Sequence, residues 1–300
     1  MRHTLLLACL ALVFPLRLPA QELQPRTLVN LPVRLNIVTA AAGYARGNLL
    51  LEPTLPIEDG KAELFTVIPG FFRTFGLLGM SAQAGVLVPW VTGTWRGRLA
   101  GADTSTDRTG IGDVQLRMSF NFAGAPAVTR SEFAGYRQRT VAGVTMAVGM
   151  PVGQYYPERL INLGTNRWAF SARAGASHLA GRFLLEATGS ATVYTTNHDF
   201  YGGRTLEQHP FYDAQAHLAY GIRGAQLWAA GSIGYGWGGR TVVDGNPGQP
   251  LENVRASATL RLPLAPGHAL KLVFIHGLHT RLGTDFDTFQ GVYQYVWGGS

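Results

Sequence analysis

Apolar and polar residues alternate along most of this chain, and this alternation restricts the fold more than any other feature. Between Val254 and Leu262, apolar side chains at even positions oppose polar ones at odd positions, and the same pattern runs from Val114 to Phe122. Successive side chains of a β-strand point to opposite faces, so a period of two predicts strands with one apolar and one polar face. The pattern recurs about twelve times along the chain, which predicts an all-β protein.

The alternating pattern divides the chain into twelve predicted segments. They are residues 33–43, 62–74, 78–91, 110–123, 138–150, 166–178, 182–195, 210–222, 226–237, 252–263, 268–279 and 287–298. Bacterial single-chain barrels have an even number of strands, with both termini in the periplasm. The count is therefore compatible with a closed barrel.

A soluble β-sandwich would alternate too, but the connections favour a membrane barrel. Long ones near 44–60, 92–108, 152–165, 196–208 and 238–251 alternate with short ones near 75–77, 179–181, 223–225 and 264–267. Long extracellular loops and short periplasmic turns are typical of outer-membrane barrels. After the first twenty residues, no apolar run reaches the roughly 18 residues that a membrane helix needs. We therefore expect a transmembrane antiparallel up-and-down β-barrel of about 12 strands over residues 33–300, with the outer-membrane bilayer as its surroundings.

Two stretches complicate this simple pattern. Residues 124–137 form a long connection where a short periplasmic turn is expected, so they are either an ordered periplasmic segment or a sign of a wrong strand count. The last segment places Phe289, Tyr293, Tyr295 and Trp297 on one face, which suits an aromatic girdle at the membrane interface. We also expect this terminal strand to contact the barrel-assembly machinery.

The first twenty residues predict a secretory signal peptide. A short basic start is followed by an apolar core from Leu5 to Phe14 and a cleavage site after Ala20. Cys9 could instead belong to a lipoprotein cleavage box, but the apolar core continues beyond it. Residues 21–32 are then a short periplasmic N-terminal segment. Cys9 is the only cysteine, so the mature chain would hold neither a disulfide nor a thiol nucleophile.

Several motifs carry a family resemblance. They include Gly110-Ile-Gly-Asp113, Pro151-Val-Gly-Gln-Tyr155, and the stretch from Arg159 to Trp168. In these motifs the sequence resembles the outer-membrane family named for the MetA pathway of phenol degradation, and the resemblance extends over about 110–298. It implies a transporter-like outer-membrane barrel linked to the handling of aromatic compounds.

If the apolar face meets lipid, the opposite face lines the lumen. The candidate solute-contacting residues on that face are Asp113, Gln115, Arg117, Arg167, Arg173, Glu186, Asp213, His217, Arg255 and Arg261. Basic groups are in excess, and rings of Arg and Lys favour anions. These side chains could equally pair with one another across a filled lumen, because barrels of this size lie between filled and open ones.

The loop 152–165 offers further candidates. Tyr155 and Arg159 could fold inward at the extracellular mouth and select solutes, whereas Asn162, Gly164 and Asn166 better suit local turn chemistry.

No motif for chemistry is evident. His276 lacks a serine two residues away, as a lipid-face esterase would need, and no spacing predicts a zinc or calcium site. The formal net charge of +7 is too small and dispersed for a nucleic-acid partner. We expect no catalytic residue, cofactor or metal.

The expected function is passive uptake of small aromatic or anionic solutes. The alternatives are a closed structural or interaction barrel and a lipid-modifying enzyme. The sequence does not predict the oligomeric state.

Overall fold

The computed structural model of the chain describes residues 23–50, 57–99, 101–223 and 226–299. The expected signal peptide, residues 1–20, lies outside the described residues. The strands are β1 (Leu35–Leu50), β2 (Ile57–Leu77), β3 (Met80–Leu87), β4 (Trp90–Leu99), β5 (Ala102–Ile111), β6 (Val114–Ala123), β7 (Thr140–Met150), β8 (Ala169–Ala180), β9 (Phe183–Tyr194), β10 (Asn197–Phe200), β11 (Arg204–Gln208), β12 (Phe211–Arg223), β13 (Leu227–Gly238), β14 (Thr241–Val243), β15 (Asn246–Pro247), β16 (Leu251–Ala265) and β17 (His268–Gly298). One short helix, α1 (Arg130–Phe133), precedes β7. Among the described residues, no helix has the length and apolar character needed to cross a bilayer.

Antiparallel pairing closes the sheet into a ring. The order is β1-β17-β16-β13-β12-β9-β8-β7-β6-β3-β2, and β2 returns to β1. Strand β17 folds back on itself, since the rings of Phe274 and Phe289 lie 4.6 Å apart and His276 Nδ1 lies 2.6 Å from Asp287 Oδ1. Its first leg pairs with β16 and its second with β1. Counting both legs, the wall has twelve spans, and the predicted antiparallel outer-membrane barrel is confirmed.

The alternation sorts side chains between lipid and lumen. Leu185 and Phe289 are 53% and 58% exposed on the outer face, whereas Glu186 and His217 are buried inside. The end of the barrel with the short turns, where β1 begins and β17 ends, is the periplasmic end. Tyr295 and Trp297 stack on the outer face near this end.

The predicted loop at 92–108 is wrong. These residues belong to the hairpin of β4 and β5, whose pairing runs from Trp90–Ile111 to Leu99–Ala102. Strand β4 also pairs with β2, so the hairpin enlarges the sheet on the extracellular side. Outside the lipid, the outer face of a strand need not be apolar, and here it carries Thr94 and Arg96. The contrast between an apolar outer face and a polar inner face, which predicts a membrane strand, is therefore lost in this hairpin.

Two other connections contain short strands. In the stretches 196–208 and 238–251, β10, β11, β14 and β15 form a small four-stranded sheet above the barrel. Its core is made by Phe200, Leu206 and Val243, with Leu160 packed against it.

The long connection at 124–137 is ordered. Thr129 and Glu132 form a reciprocal capping box at the start of α1. The Arg130 amide donates to the Gly299 carbonyl, and the Ser81 amide donates to the Ala125 carbonyl. This segment lies at the periplasmic rim, so the strand count on either side of it holds.

Candidate functional site in the barrel interior

The inner wall of the barrel carries a set of polar side chains, here called the polar belt: Gln115, Arg117, Arg173, Ser190, Asp213, Gln215 and Arg255. Arg173, Ser190 and Asp213 are register partners on three adjacent strands. Arg173 Nη2 lies 3.5 Å from Asp213 Oδ1, which also accepts from Gln215 Nε2 at 2.8 Å. The Ser190 hydroxyl donates to the other oxygen. The Asp213 charge is thus fully compensated.

Other arginines of the interior bind uncharged oxygens. Arg117 Nε donates to Gln115 Oε1 at 2.5 Å, and Arg255 Nη2 donates to the carbonyl and hydroxyl oxygens of Thr284 at 2.8 and 2.7 Å. Arg261 donates to the Gln226 carbonyl at 2.5 Å, toward the periplasmic end. These bonds fix the guanidinium groups against the wall.

The wall beside the polar belt also holds polar atoms without a hydrogen-bond partner among the described residues. They include His217 Nδ1, Gln215 Oε1 and the hydroxyls of Ser232, Ser257 and Thr259. Buried polar atoms are nearly always hydrogen-bonded, so these groups require water or a solute. The inner face of β12, β13 and β16 can therefore bind a polar molecule.

Residues 23–34, here called the N-terminal segment, lie inside the periplasmic half of the barrel. Glu186 accepts hydrogen bonds from the Thr27 amide at 3.1 Å, the Thr27 hydroxyl at 2.7 Å and the Leu28 amide at 3.0 Å. The Ser177 hydroxyl donates to the Leu28 carbonyl at 2.5 Å. Leu23 is 2% exposed and Leu28 is 4% exposed. The sequence interpretation missed this position, because the segment has no periodicity.

The N-terminal segment reaches from one side of the wall to the other. At one end the Arg26 guanidinium lies 5.4 Å from the centre of the Trp228 ring on β13. At the other, the Thr74 hydroxyl on β2 donates to the Pro32 carbonyl at 2.7 Å. Between them, Asn121 Nδ2 on β6 donates to the Val29 carbonyl at 3.3 Å. The segment consequently obstructs the periplasmic half of the lumen.

The loop 151–168 folds inward at the extracellular end. Leu163 packs against the inner faces of β2, β4 and β17 in a buried apolar group, here called the mouth cluster: Ala62, Leu64, Val91, Trp95, Leu163 and Phe286. These strands lie away from β7 and β8, which the loop connects. The loop therefore crosses the mouth of the barrel.

Family-motif residues hold this loop in place. Asp113 accepts from the Gly153 amide at 3.0 Å, the Thr165 amide at 2.9 Å and the Thr165 hydroxyl at 2.5 Å. A Cβ built on Gly164 would lie 2.7 Å from the carbonyl carbon of Gly153, so the two backbones touch. Asp113 is thus an anchor of the loop, and glycine is required where the backbones meet.

The remaining candidates lie on or beside the loop. The Tyr155 hydroxyl donates to the Asp199 carbonyl at 3.0 Å and accepts from Asn197 Nδ2 at 2.8 Å. Burial raises the pKa of Tyr155, so its hydroxyl stays protonated. Arg167 is buried and donates to Gln208 Oε1 at 2.7 Å. Both residues fasten the loop to the small sheet.

Arg159 stands apart from these anchors. Its guanidinium lies over the Tyr156 ring at 4.2 Å and borders a pocket at the mouth. Asn162, expected to serve local turn chemistry, bonds the backbone of Tyr156 and Arg159. Among the described residues, no group of three His, Cys, Asp or Glu side chains could hold a metal ion.

Known proteins resemble the chain in sequence and in fold. The profile of the family described as "Putative MetA-pathway of phenol degradation" matches residues 41–290. A COG4313 outer membrane channel from Pseudomonas putida F1 is similar with a TM-score of 0.77 and 21% identity, over 92% of this chain and 100% of that one. The beta domain of the Bordetella autotransporter Brka gives a TM-score of 0.52 and 10% identity, over 88% and 100%. No curated protein matches the sequence. At these identities the structural likeness concerns the fold.

Proposed function

The chain belongs to the family described as "Putative MetA-pathway of phenol degradation" and lies in the outer membrane, and we propose that it is a passive channel for small aromatic or anionic solutes. The observation that supports this most is the polar belt, which fixes arginines inside a closed wall, beside hydroxyls that have no hydrogen-bond partner among the described residues. The likeness to a protein described as an outer membrane channel is compatible with it. The proposed mechanism is diffusion, with no chemical step and no cofactor.

The order of groups along the lumen suggests which solutes pass. Once the loop 151–168 moves away, a solute from outside first meets the mouth cluster, where Trp95 and Phe286 offer an apolar contact. It next meets the polar belt, where Arg117 and Arg255 can attract an anion. A small molecule with an aromatic ring and a negative charge would interact favourably with both regions.

Passage requires movement at both ends of the lumen. The loop 151–168 covers the mouth, and the N-terminal segment obstructs the periplasmic half. Neither is part of the hydrogen-bonded wall, which closes through β1 and β2 regardless of them. We propose that these two segments open transiently while the barrel stays intact.

The first test is the single-channel conductance of refolded residues 21–300 in a planar bilayer. We expect discrete steps with anion preference, and Arg117→Ala and Arg255→Ala should reduce that preference while the barrel still folds. Arg96→Ala is the matched control, since Arg96 lies on the outer face with its side chain 55% exposed and paired with Glu63. A folded, inserted barrel that never conducts would contradict the proposal.

One alternative has an observation in its favour. Because chain segments occupy both ends of the lumen, the molecule could be a closed structural or interaction barrel whose loops bind a partner. In that case Arg117→Ala and Arg255→Ala would lower the unfolding temperature, and neither the parent nor the variants would conduct.

A further inference from the structure

A small polar pocket lies at the extracellular mouth, apart from the polar belt. It has a volume of about 140 Å³ and lies between β5 and the inward-folded loop. Arg108 comes from β5, and Gln154, Tyr156 and Arg159 come from the loop. Nothing in the proposed route through the lumen uses this pocket.

Arg108 is held firmly by backbone oxygens. Its Nε donates to the Ile161 carbonyl at 3.0 Å, and its Nη1 donates to the Asp107 carbonyl at 2.8 Å. The Asp107 carboxylate is turned to the outer face, where it accepts from the Thr94 hydroxyl at 2.5 Å. The guanidinium is thus fixed by neutral acceptors. Arg108 and Arg159 both line the pocket. Burial, and then the charge of Arg159, lower the pKa of Arg108, whereas the charge of Asp107 raises it.

Arg159 supplies the second charge. It lies over the Tyr156 ring, and its Nε is 3.8 Å from Glu158 Oε1, whose side chain is 69% exposed. An exposed pair at that distance gives little compensation. Leu163 adds an apolar surface to the same pocket. Asp107 also lines the pocket, but its carboxylate accepts from Thr94, so the pocket combines two guanidinium groups with an aromatic and an aliphatic wall.

We propose that this pocket binds a small organic carboxylate of about the size of benzoate, with the carboxylate on Arg108 and Arg159 and the ring against Tyr156 and Leu163. Arginine matches a carboxylate with two parallel hydrogen bonds. A cavity of roughly 150 Å³ can hold benzene, so a single ring fits this volume. The inference rests on the proposed channel function, since a site at the mouth would concentrate the anion before it enters.

Equilibrium binding tests the site without any transport. Benzoate is titrated calorimetrically into refolded residues 21–300 in detergent micelles, with benzamide as the neutral analogue of equal shape. We expect benzoate to bind and benzamide to bind at least about tenfold more weakly, because charged hydrogen bonds are the stronger ones. Arg108→Gln and Arg159→Gln should each weaken benzoate about tenfold, and the control Arg96→Gln should leave it unchanged.

Each result decides the matter. Loss of benzoate binding in Arg159→Gln suffices if Arg108→Gln fails to fold, because the Arg159 side chain forms no hydrogen bond to the backbone of the described residues. Equal binding of benzoate and benzamide, or equal loss in Arg96→Gln, would overturn the proposal. Inorganic phosphate that competes as well as benzoate would also overturn it, in favour of a general anion site. Binding without conductance would contradict the channel while leaving this site in place.

Discussion

Two inward carboxylates, Glu186 and Asp113, each bind a chain segment through three N–H or O–H donors. Glu186 holds Thr27 and Leu28 of the N-terminal segment. Asp113 holds Gly153 and Thr165 of the loop at the mouth. Hydrogen bonds to an ionised oxygen are strong, so each carboxylate holds its segment firmly. The sequence predicts both residues as solute contacts, but their oxygens are occupied by the two segments that narrow the lumen.

Glu186→Gln should loosen the N-terminal segment. The change replaces one carboxylate oxygen with an NH₂ group, which cannot accept from Thr27 or Leu28, and it removes the charge. A hydrogen bond to a charged group contributes about 1.5–3 kcal/mol, so we expect trypsin to cleave after Arg26 about tenfold faster or more. When the segment opens and closes faster than trypsin cleaves it, the cleavage rate reports the population of the open form.

The matched control for that experiment is Glu207→Gln, an exposed glutamate on β11. Cleavage after Arg26 at the parental rate in Glu186→Gln would mean that other contacts, such as Ser177 to Leu28, hold the segment.

Gly164→Ala tests the backbone contact beneath the loop. The new Cβ would lie 2.7 Å from the Gly153 carbonyl carbon, and backbone cannot move aside cheaply. We expect a cost of about 1–3 kcal/mol to the folded loop, measured as faster chymotrypsin cleavage after Tyr155. Gly291→Ala is the control, because nothing lies within 4 Å of its Cβ position. Equal cleavage of the two variants would show that the loop tolerates a shift.

At the scale of elements, alternation predicts the wall well and the inserted segments poorly. The twelve predicted spans each fall on a strand or a leg of β17, because lipid on one side and a polar lumen on the other impose opposite side-chain types. The β4–β5 hairpin has no lipid against it, so Arg96 and Arg98 face outward and the pattern fades. The N-terminal segment and the inward loop depend on tertiary hydrogen bonds, which no local period encodes.

The inward position of the loop 151–168 should depend on Leu163. This side chain is 4% exposed in the mouth cluster, and Leu→Ala in a buried site typically costs about 2–5 kcal/mol. The Gln154 amide donates to the Ile111 carbonyl, and the Gly164 amide donates to the Gln154 carbonyl. We expect Leu163→Ala to speed hydrogen exchange of both amides. Leu264→Ala, 57% exposed, should leave that exchange unchanged. Unaltered exchange in Leu163→Ala would mean that Asp113 and the glycines hold the loop alone.

For the whole molecule, the wall and the segments inside it are separable. Every wall strand has two hydrogen-bonded neighbours, with β1 paired to both β17 and β2. Removing the N-terminal segment breaks none of these pairings. It exposes Glu186, Ser177 and Asn121 to the lumen, where water can replace the lost partners. The barrel should therefore survive changes that alter its permeability.

The last prediction follows from two obstructions in series. Current through the lumen is limited by whichever end is more closed, so opening one end alone should raise conductance modestly. We expect deletion of residues 21–32 combined with Leu163→Ala to raise it by more than the two single changes together, as measured in a planar bilayer. Heat-dependent gel migration would check that each variant is folded. If the deletion alone matches the double variant, the loop does not close the mouth. If the folded double variant still fails to conduct, the polar belt itself fills the lumen, and the closed barrel becomes the better account of this protein.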